Sequence, residues 1–139
     1  VRLSPYGTFN GVSDSDPMNL FGQVIEEFNK RGIVYINMIE PRATTAGGDD
    51  NVNDKAVCTS DLFRAKFNGM FISSGGYKPE TAEVALNDNK ADAIMFGRWF
   101  IANPDLPERI AKKAELNKYD RATFYGGDEK GYTDYPFLS

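Results

Sequence analysis

Residues 69–98, GMFISSGGYKPETAEVALNDNKADAIMFGR, decide the fold because they contain a strand, a helix and a second strand in that order. Residues 70–73 form a short apolar run that predicts a buried strand, and residues 91–96 repeat this pattern. Between them a Ser-Gly-Gly turn leads to Pro79, where we expect a helix to begin and to continue to about Asn87. This succession predicts a βαβ unit with parallel strands and a right-handed crossover.

The same alternation extends toward the amino terminus. Residues 33–39 are mostly apolar and β-branched, which predicts a strand buried on both faces of a parallel sheet, and Pro41 ends it. Residues 18–30 carry apolar side chains at helical spacing. We expect Asp16 to be the N-cap of this helix and Gly32 to end it.

An opening strand and two further helices complete the pattern. Residues 1–5 are typical of a strand already under way at the start of the sequence. We expect Ser60 or Thr59 to cap a helix that runs to about 67, and Asn103-Pro104-Asp105 to cap a helix that runs to about 113. A closed (β/α)8 barrel needs roughly 250 residues. A chain of 139 residues therefore allows about four βα units, and we expect one partial α/β barrel domain over residues 1–139, whose aromatic, glycine-rich tail at 116–139 packs on the barrel.

The composition is typical of a globular domain with an apolar core, since 41% of the residues are hydrophobic and 13% are aromatic. The net charge is −4, with acidic and basic residues interspersed, and this argues against a nucleic-acid partner. The sequence contains no apolar run of roughly 18 residues and no signal-peptide pattern. We therefore expect a cytoplasmic protein with no membrane partner.

Residue types that usually carry metal or thiol chemistry are scarce. The chain has no histidine and a single cysteine, Cys58, which excludes the common zinc and Cys-His sites. We expect Cys58 to be a structural thiol. The acidic residues Asp49, Asp50 and Asp54 lack the glycine and glutamate spacing of a calcium loop, and they are expected to be solvated in a long loop at 42–55.

Glycines follow two consecutive predicted strands. Ser74-Gly75-Gly76 comes after the third strand, and Gly97-Arg98 comes after the fourth. In parallel α/β proteins the loops after the strands gather at one face, where glycines let a phosphate approach the backbone and an arginine adds a charge-assisted hydrogen bond. The sequence therefore predicts a phosphate site; the alternative is that the glycines only form tight turns and the arginine is a solvated charge.

Three polar residues in or next to strands have open alternatives. Arg2 lies in an apolar opening strand, where a guanidinium group either contacts a ligand or is exposed at a frayed terminus. Asn37 and Glu40, near the end of the second strand, could orient a ligand. For these two we favour the alternative of a hydrogen-bonded or salt-bridged strand end.

Ordered motifs along essentially the whole chain resemble one known family. These motifs are Arg2-Leu3-Ser4-Pro5, Ile39-Glu40-Pro41, Ser74-Gly75-Gly76-Tyr77, Ala91-Asp92-Ala93, Phe96-Gly97-Arg98, Phe100-Ile101-Ala102-Asn103-Pro104-Asp105-Leu106, Leu116-Asn117-Lys118-Tyr119-Asp120-Arg121, Thr123-Phe124-Tyr125 and Gly131-Tyr132-Thr133-Asp134-Tyr135-Pro136. In this order and spacing they resemble the C-terminal half of old yellow enzyme family ene-reductases, a family of NADH:flavin oxidoreductases that includes 12-oxophytodienoate reductases.

The resemblance implies an FMN-containing TIM barrel of which the four strands are the fifth to the eighth. It implies that Arg2 lies beside the pyrimidine edge of the flavin and that Tyr125 borders the substrate pocket. The residues it implies for the FMN phosphate and its surroundings are Ser74, Gly75, Gly76, Phe96, Gly97 and Arg98.

The resemblance also implies an activity for the parent protein. In this family NADPH, or NADH, delivers hydride to FMN, and an α,β-unsaturated carbonyl compound then accepts it at its C=C bond. The family's His-Asn or His-His pair, which grips the substrate oxygen, and its proton-donating tyrosine belong to the first half of the family's sequence. We therefore assign no catalytic residue here and expect this chain alone to be inactive. The alternative is a stand-alone half-barrel that binds a phosphate or flavin without catalysis. Either the missing N-terminal half or self-association would cover its open edges.

Overall fold

The computed structural model describes residues 1–43 and 51–139, and the chain divides into two compact units. The first unit, Val1–Met95, contains the β-sheet, and the second unit, Phe96–Ser139, contains two short helices and the tail. None of the described helices is long and apolar enough to cross a membrane.

The sheet of the first unit has four parallel strands whose spatial order is their order in the chain, as far as the described residues go. The strands are β1 (Arg2–Leu3), β2 (Tyr35–Ile39), β3 (Met70–Ser74) and β4 (Ala93–Met95). Adjacent parallel strands joined by helices are the arrangement that the βαβ pattern predicted. The two edge strands, β1 and β4, are shorter than expected. After β1 the chain turns at Ser4, whose carbonyl accepts from the Gly7 N–H.

Helix α1 (Pro17–Lys30) begins and ends where the sequence predicted. The Asp16 carboxylate accepts a hydrogen bond from the Asn19 N–H at 3.2 Å, which satisfies one of the unpaired donors of the first turn. Gly32 ends the helix with a φ of +62°, a left-handed conformation that glycine adopts without strain.

Replacing Asp16 with Ala is expected to lower the free energy of unfolding by about 1 kcal/mol, because the Asn19 N–H loses its acceptor. Asp16→Asn retains an acceptor oxygen and is the matched control, with an expected loss of only a few tenths of a kcal/mol. Urea unfolding followed by circular dichroism measures both. Equal losses in the two variants would show that the cap does not act through this hydrogen bond.

The core of the first unit lies between the sheet and the helices that cover it. Its buried members are Ile25, Ile36, Met38, Phe63, Phe67, Phe71 and Ala91. Three successive residues of β2, from Ile36 to Met38, are buried, which is the two-faced burial expected for this strand. Tyr35 at its amino end is half exposed, so the two-faced burial does not extend along the whole predicted strand.

Helix α2 (Thr59–Phe63) continues as a 3-10 turn at Arg64–Lys66, and helix α3 (Pro79–Asn87) has the predicted bounds. The second unit contains helix α4 (Arg98–Ala102) and helix α5 (Leu106–Lys112). The sequence predicted α5 but not α4. Five residues are too few to show a helical period, and the glycine before them is typical of a turn.

Two buried side chains of α5 and its cap hold the tail of the second unit. Arg109 donates to the Asp105 carboxylate at 2.7 Å, to the Glu115 carbonyl at 2.7 Å and to the Pro136 carbonyl at 2.8 Å. The other oxygen of Asp105 accepts from the Leu138 N–H at 2.6 Å. This ion pair therefore joins the helix to both ends of the tail.

A pair of asparagines adds a second set of bonds to the tail. Asn103 accepts from the Asn117 N–H at 2.7 Å, and the Asn117 side chain donates to the carbonyls of Ala102 and Pro136, both at 2.8 Å. The tail is thus ordered within its own unit by polar contacts, while its packing on a barrel stays a prediction.

The stability of the second unit is expected to fall at acid pH because of Asp105. Burial by itself raises the pKa of this carboxyl, but the Leu138 N–H and Arg109 outweigh it and hold the pKa below its usual value. A lowered pKa in the folded state gives stability that is complete above the unfolded pKa, roughly 3.9, and is lost as the pH falls through the folded value. Melting curves between neutral pH and about pH 2.5 should show this decline, and Asp105→Asn should remove part of it. An unchanged pH dependence in that variant would contradict the assignment.

Candidate functional site

The carboxyl ends of three strands lie side by side at one edge of the sheet. Ile39 of β2 is in register with Ser74 of β3, and Ser74 is in register with Met95 of β4. Residues that directly follow these strands, such as Glu40 and Gly75, therefore gather at this edge. Loops at the carboxyl edge are where parallel α/β proteins bind ligands.

The turn after β3 requires glycine at two consecutive positions. Gly75 and Gly76 have φ values of +112° and +69°. A Cβ atom on Gly75 would lie 2.7 Å from the Glu40 carbonyl oxygen, and one on Gly76 would lie 3.2 Å from the Ala43 Cβ. Within the described residues, neither glycine N–H donates a hydrogen bond. The turn therefore presents two backbone donors, which is the donor set that a phosphate group needs.

The Ser74 side chain is used within the sheet. Its hydroxyl group is buried and donates toward the Asn37 amide oxygen at 3.3 Å and the Met38 carbonyl at 3.5 Å. Asn37 itself is buried and reaches the Ile72 carbonyl at 3.5 Å. Asn37 is thus a hydrogen-bonded strand residue, the alternative that the sequence favoured.

The predicted residues that follow β4 lie in the second unit. The Gly97 carbonyl accepts from the N–H groups of Phe100 and Ile101 at 2.9 and 3.1 Å, which starts α4. Gly97 has a φ of −99°, and a Cβ there would meet no atom of the structure within 4 Å. Neither its conformation nor its described neighbours therefore require glycine. The Arg98 guanidinium group lies 5.8 Å from the centre of the Tyr119 ring.

Arg2, Phe96 and Tyr125 complete the set of predicted residues. Arg2 is exposed on β1, in register with the buried Asn37, and its side chain makes no hydrogen bond or ion pair with the described residues. Phe96 is partly buried at the start of the second unit. Tyr125 is 76% exposed, and its ring is nearly perpendicular to the Phe124 ring, with 6.2 Å between the centres. The side chains of Arg2 and Tyr125 are thus exposed and accessible to a ligand.

Glu40 has a structural role that the sequence left as an alternative. Its buried carboxylate accepts from the N–H groups of Thr59 and Ser60 at 2.8 and 3.0 Å, and from the Ser73 hydroxyl at 3.1 Å. The first turn of α2 is therefore capped by the side chain of the residue that directly follows β2. The expectation that Thr59 or Ser60 caps this helix is wrong, because a carboxylate 19 residues earlier takes the N–H of Thr59.

Arg42 and Tyr77 are neighbours of the glycine turn that the sequence did not single out. Arg42 Nε donates to the Gly75 carbonyl at 3.0 Å, and its guanidinium group lies 4.1 Å from the centre of the Tyr77 ring. The Tyr77 hydroxyl is 2.9 Å from the Ser73 hydroxyl, and burial raises the pKa of Tyr77. The sequence signal for this contact is the position of Arg42 directly after Glu40-Pro41, at the end of a predicted strand.

The remaining candidates from the sequence are the lone cysteine and the acidic loop residues. Burial raises the pKa of the Cys58 thiol, which lies 4.0 Å from a Glu40 oxygen, as expected for a structural cysteine. Asp49 and Asp50 lie outside the described residues, and the described ones contain no group of three or more side chains that could hold a metal ion.

Comparisons with known proteins place the chain in a family. The sequence model of the NADH:flavin oxidoreductase / NADH oxidase family matches residues 1–117. The chain is 44% identical to 12-oxophytodienoate reductase 2 of Arabidopsis thaliana, covering 99% of the chain and 36% of the relative. It is also 44% identical to 12-oxophytodienoate reductase 1 of Oryza sativa subsp. japonica, with the same coverage.

Solved structures agree with this relationship. A structure of morphinone reductase in complex with tetrahydroNAD superposes with a TM-score of 0.84 at 41% identity, covering 99% of this chain and 35% of that one. The chain spans less than half the length of these relatives. The predicted fold class, four parallel strands from a (β/α)8 barrel, is confirmed. FMN and a nicotinamide nucleotide are the cofactors of these oxidoreductases. As its motifs predicted, the chain belongs to the NADH:flavin oxidoreductase / NADH oxidase family.

Proposed function

We propose that the chain is the FMN-binding portion of an NAD(P)H-dependent ene-reductase that reduces the C=C bond of α,β-unsaturated carbonyl compounds. The observation that carries the proposal is the Gly75-Gly76 turn, whose two N–H groups have no partner among the described residues. FMN supplies the hydride chemistry, since it accepts hydride from NADPH or NADH and passes it to the substrate. The protein supplies binding and orientation.

The phosphate of FMN is assigned to the two glycine turns. The N–H groups of Gly75 and Gly76 donate to it, Gly97 allows it to approach the backbone, and Arg98 adds a positive charge. The register of Ser74 with Met95 supports the assignment, because β3 and β4 end at the same edge of the sheet. The other two proposed cofactor-binding residues, Ser74 and Phe96, precede the two turns.

Arg2 is assigned to the pyrimidine edge of the flavin, where its positive charge would stabilise negative charge on the ring. Its exposure, and its lack of a partner among the described residues, support this role. Tyr125 is assigned to the border of the substrate pocket on the same grounds, since its ring is largely exposed.

The parent protein is proposed to be a cytoplasmic enzyme that contains further barrel strands. Within the described residues, β1 and β4 each pair on one side only, so both edges of the sheet have unpaired backbone groups. Open edges of this kind favour pairing with more chain or with a second copy. The substrate-gripping and proton-donating groups of the reaction belong to that further chain, and the 139 residues alone are inactive.

FMN binding by the full chain tests the phosphate assignment. Titration followed by flavin fluorescence is expected to show FMN binding at least about tenfold more tightly than riboflavin, which lacks the phosphate. Gly75→Ala should abolish this preference, because the new methyl group meets the Glu40 carbonyl. Gly127→Ala is the matched control: Gly127 also has a positive φ, +100°, but a Cβ there meets no atom within 4 Å.

Equal affinity for FMN and riboflavin in the wild-type chain would contradict the phosphate site. The enzymatic part is tested with the chain joined to the amino-terminal half of its parent, by following NADPH oxidation with an enone. Reduction of the enone supports the proposed activity. A joined protein that binds FMN and reduces no enone would favour a flavin-binding module without catalysis.

A further inference from the structure

We propose that Arg42 is a positioning residue for the peptide group between Gly75 and Gly76. By binding the carbonyl of this group, Arg42 directs the N–H away from itself and toward the phosphate. This inference rests on the proposed function, which assigns that N–H to the phosphate of FMN. Arg42 comes from the segment after β2, so it reaches the turn from a neighbouring strand end.

Arg42 contacts the turn at two points. Its Nε atom donates to the Gly75 carbonyl at 3.0 Å. Its guanidinium plane lies against Tyr77, with 4.1 Å from Cζ to the centre of the ring. Tyr77 is itself held by the bond between its hydroxyl and that of Ser73, at 2.9 Å. The arginine therefore bonds the middle of the turn while it packs on the residue that follows the turn.

Because of the geometry of the peptide bond, the hydrogen bond from Arg42 to the Gly75 carbonyl also fixes the direction of the Gly76 N–H. The Gly75 carbonyl and the Gly76 N–H belong to one planar trans peptide group, so they point in opposite directions. When Arg42 binds the carbonyl, the N–H must point away from Arg42. A hydrogen bond on one side of the turn therefore sets the direction of the donor on the other side.

A glycine pair needs such support more than other residues do. Gly75 and Gly76 can each adopt positive and negative φ values, so the peptide group between them rotates at low cost unless something binds it. The Cβ contacts that would limit rotation in another sequence are absent here. One terminal nitrogen of Arg42, Nη2, is buried and has no hydrogen-bond partner among the described residues, so within that part of the chain the arginine is oriented by the Gly75 carbonyl and the Tyr77 ring.

Arg42→Met tests the inference, because methionine retains an unbranched stem but cannot donate to the carbonyl. Arg64→Met is the matched control. Arg64 also lies over an aromatic ring, that of Phe71 at 6.0 Å, and also donates to a backbone carbonyl, that of Phe67. Both variants lose one positive charge from the first unit, and Arg64 also forms an ion pair with Asp92 at 2.9 Å.

Two measurements on the full chain are compared. Backbone 15N relaxation needs no ligand and is expected to show an order parameter for Gly76 near 0.85 in the wild type and in Arg64→Met, and below about 0.6 in Arg42→Met. FMN affinity is expected to fall at least about tenfold in Arg42→Met and less than about twofold in Arg64→Met, with riboflavin binding unchanged by either. Should Arg42→Met fail to fold, Arg42→Leu, which likewise cannot donate to the carbonyl, decides by the same readouts.

An ordered Gly76 in the folded Arg42 variant would overturn the inference, whatever FMN does. Equal losses of FMN affinity in both methionine variants would also overturn it, because charge alone would then explain the effect. If the wild-type chain does not prefer FMN to riboflavin, the proposed phosphate site is wrong. The relaxation of Gly76 would still decide whether Arg42 orients the turn.

Discussion

The chain with Arg109 replaced by Met is expected to melt roughly 10 °C or more below the wild type. Arg109 is 5% exposed, and its three hydrogen bonds reach the Asp105 carboxylate and the carbonyls of Glu115 and Pro136. Without it a buried carboxylate keeps the Leu138 N–H as its main partner and loses its counter-charge. Breaking a buried pair on one side is costly because the remaining charge stays desolvated.

Thermal melting followed by circular dichroism measures this effect, with Lys112→Met as the control. Lys112 is also in α5 and also forms an ion pair four residues away, with Glu108, but its side chain is 60% exposed. Such surface pairs contribute little, so the control should melt within about 2 °C of the wild type. Similar shifts in the two variants would refute the role given to Arg109.

The second large effect is expected for Glu40→Ala, with a loss of about 3 kcal/mol or more in the free energy of unfolding. The N–H groups of Thr59 and Ser60 and the hydroxyl of Ser73 lose their acceptor in a buried place. A buried donor without a partner costs roughly 1 to 3 kcal/mol, and several are created at once. The new cavity adds to the loss.

Urea unfolding of Glu40→Ala is compared with that of Glu83→Ala. Glu83 is an exposed residue of α3, so its replacement by a better helix former should change stability by less than about 0.5 kcal/mol. Glu40→Gln is expected to lie between the two, because the amide retains one acceptor oxygen. A Glu40→Ala variant as stable as the Glu83 control would show that the carboxylate does not hold α2 to the sheet.

Local sequence signals were sufficient for the regular elements of the first unit. Asp16, Pro17 and Gly32 placed both ends of α1 because each acts on its own neighbouring backbone. The strands were placed by short apolar runs, and the edge strands are shorter than those runs because a ladder needs a partner as well as a suitable sequence. Helix α4 was not predicted, since its stability depends on packing and not on a repeating pattern.

In the candidate site, too, features that depend on local sequence were predicted, and contacts between residues distant in the chain were not. Gly75 and Gly76 were predicted to form a turn because their conformations are a local property of glycine. The contacts of Arg42 with Gly75 and of Glu40 with Thr59 join residues that are 33 and 19 positions apart in the chain. A period or a spacing in the sequence contains no information on such pairs. The order of many motifs together identified the family, which no single pair could do.

The hydrogen bonds of the tail have a practical consequence for handling this protein. The Pro136 carbonyl and the Leu138 N–H engage Arg109 and Asp105 directly, and Asn117 also binds Pro136. Trimming by a carboxypeptidase that removed residues 136–139 would therefore undo the same contacts as a mutation deep in the helix.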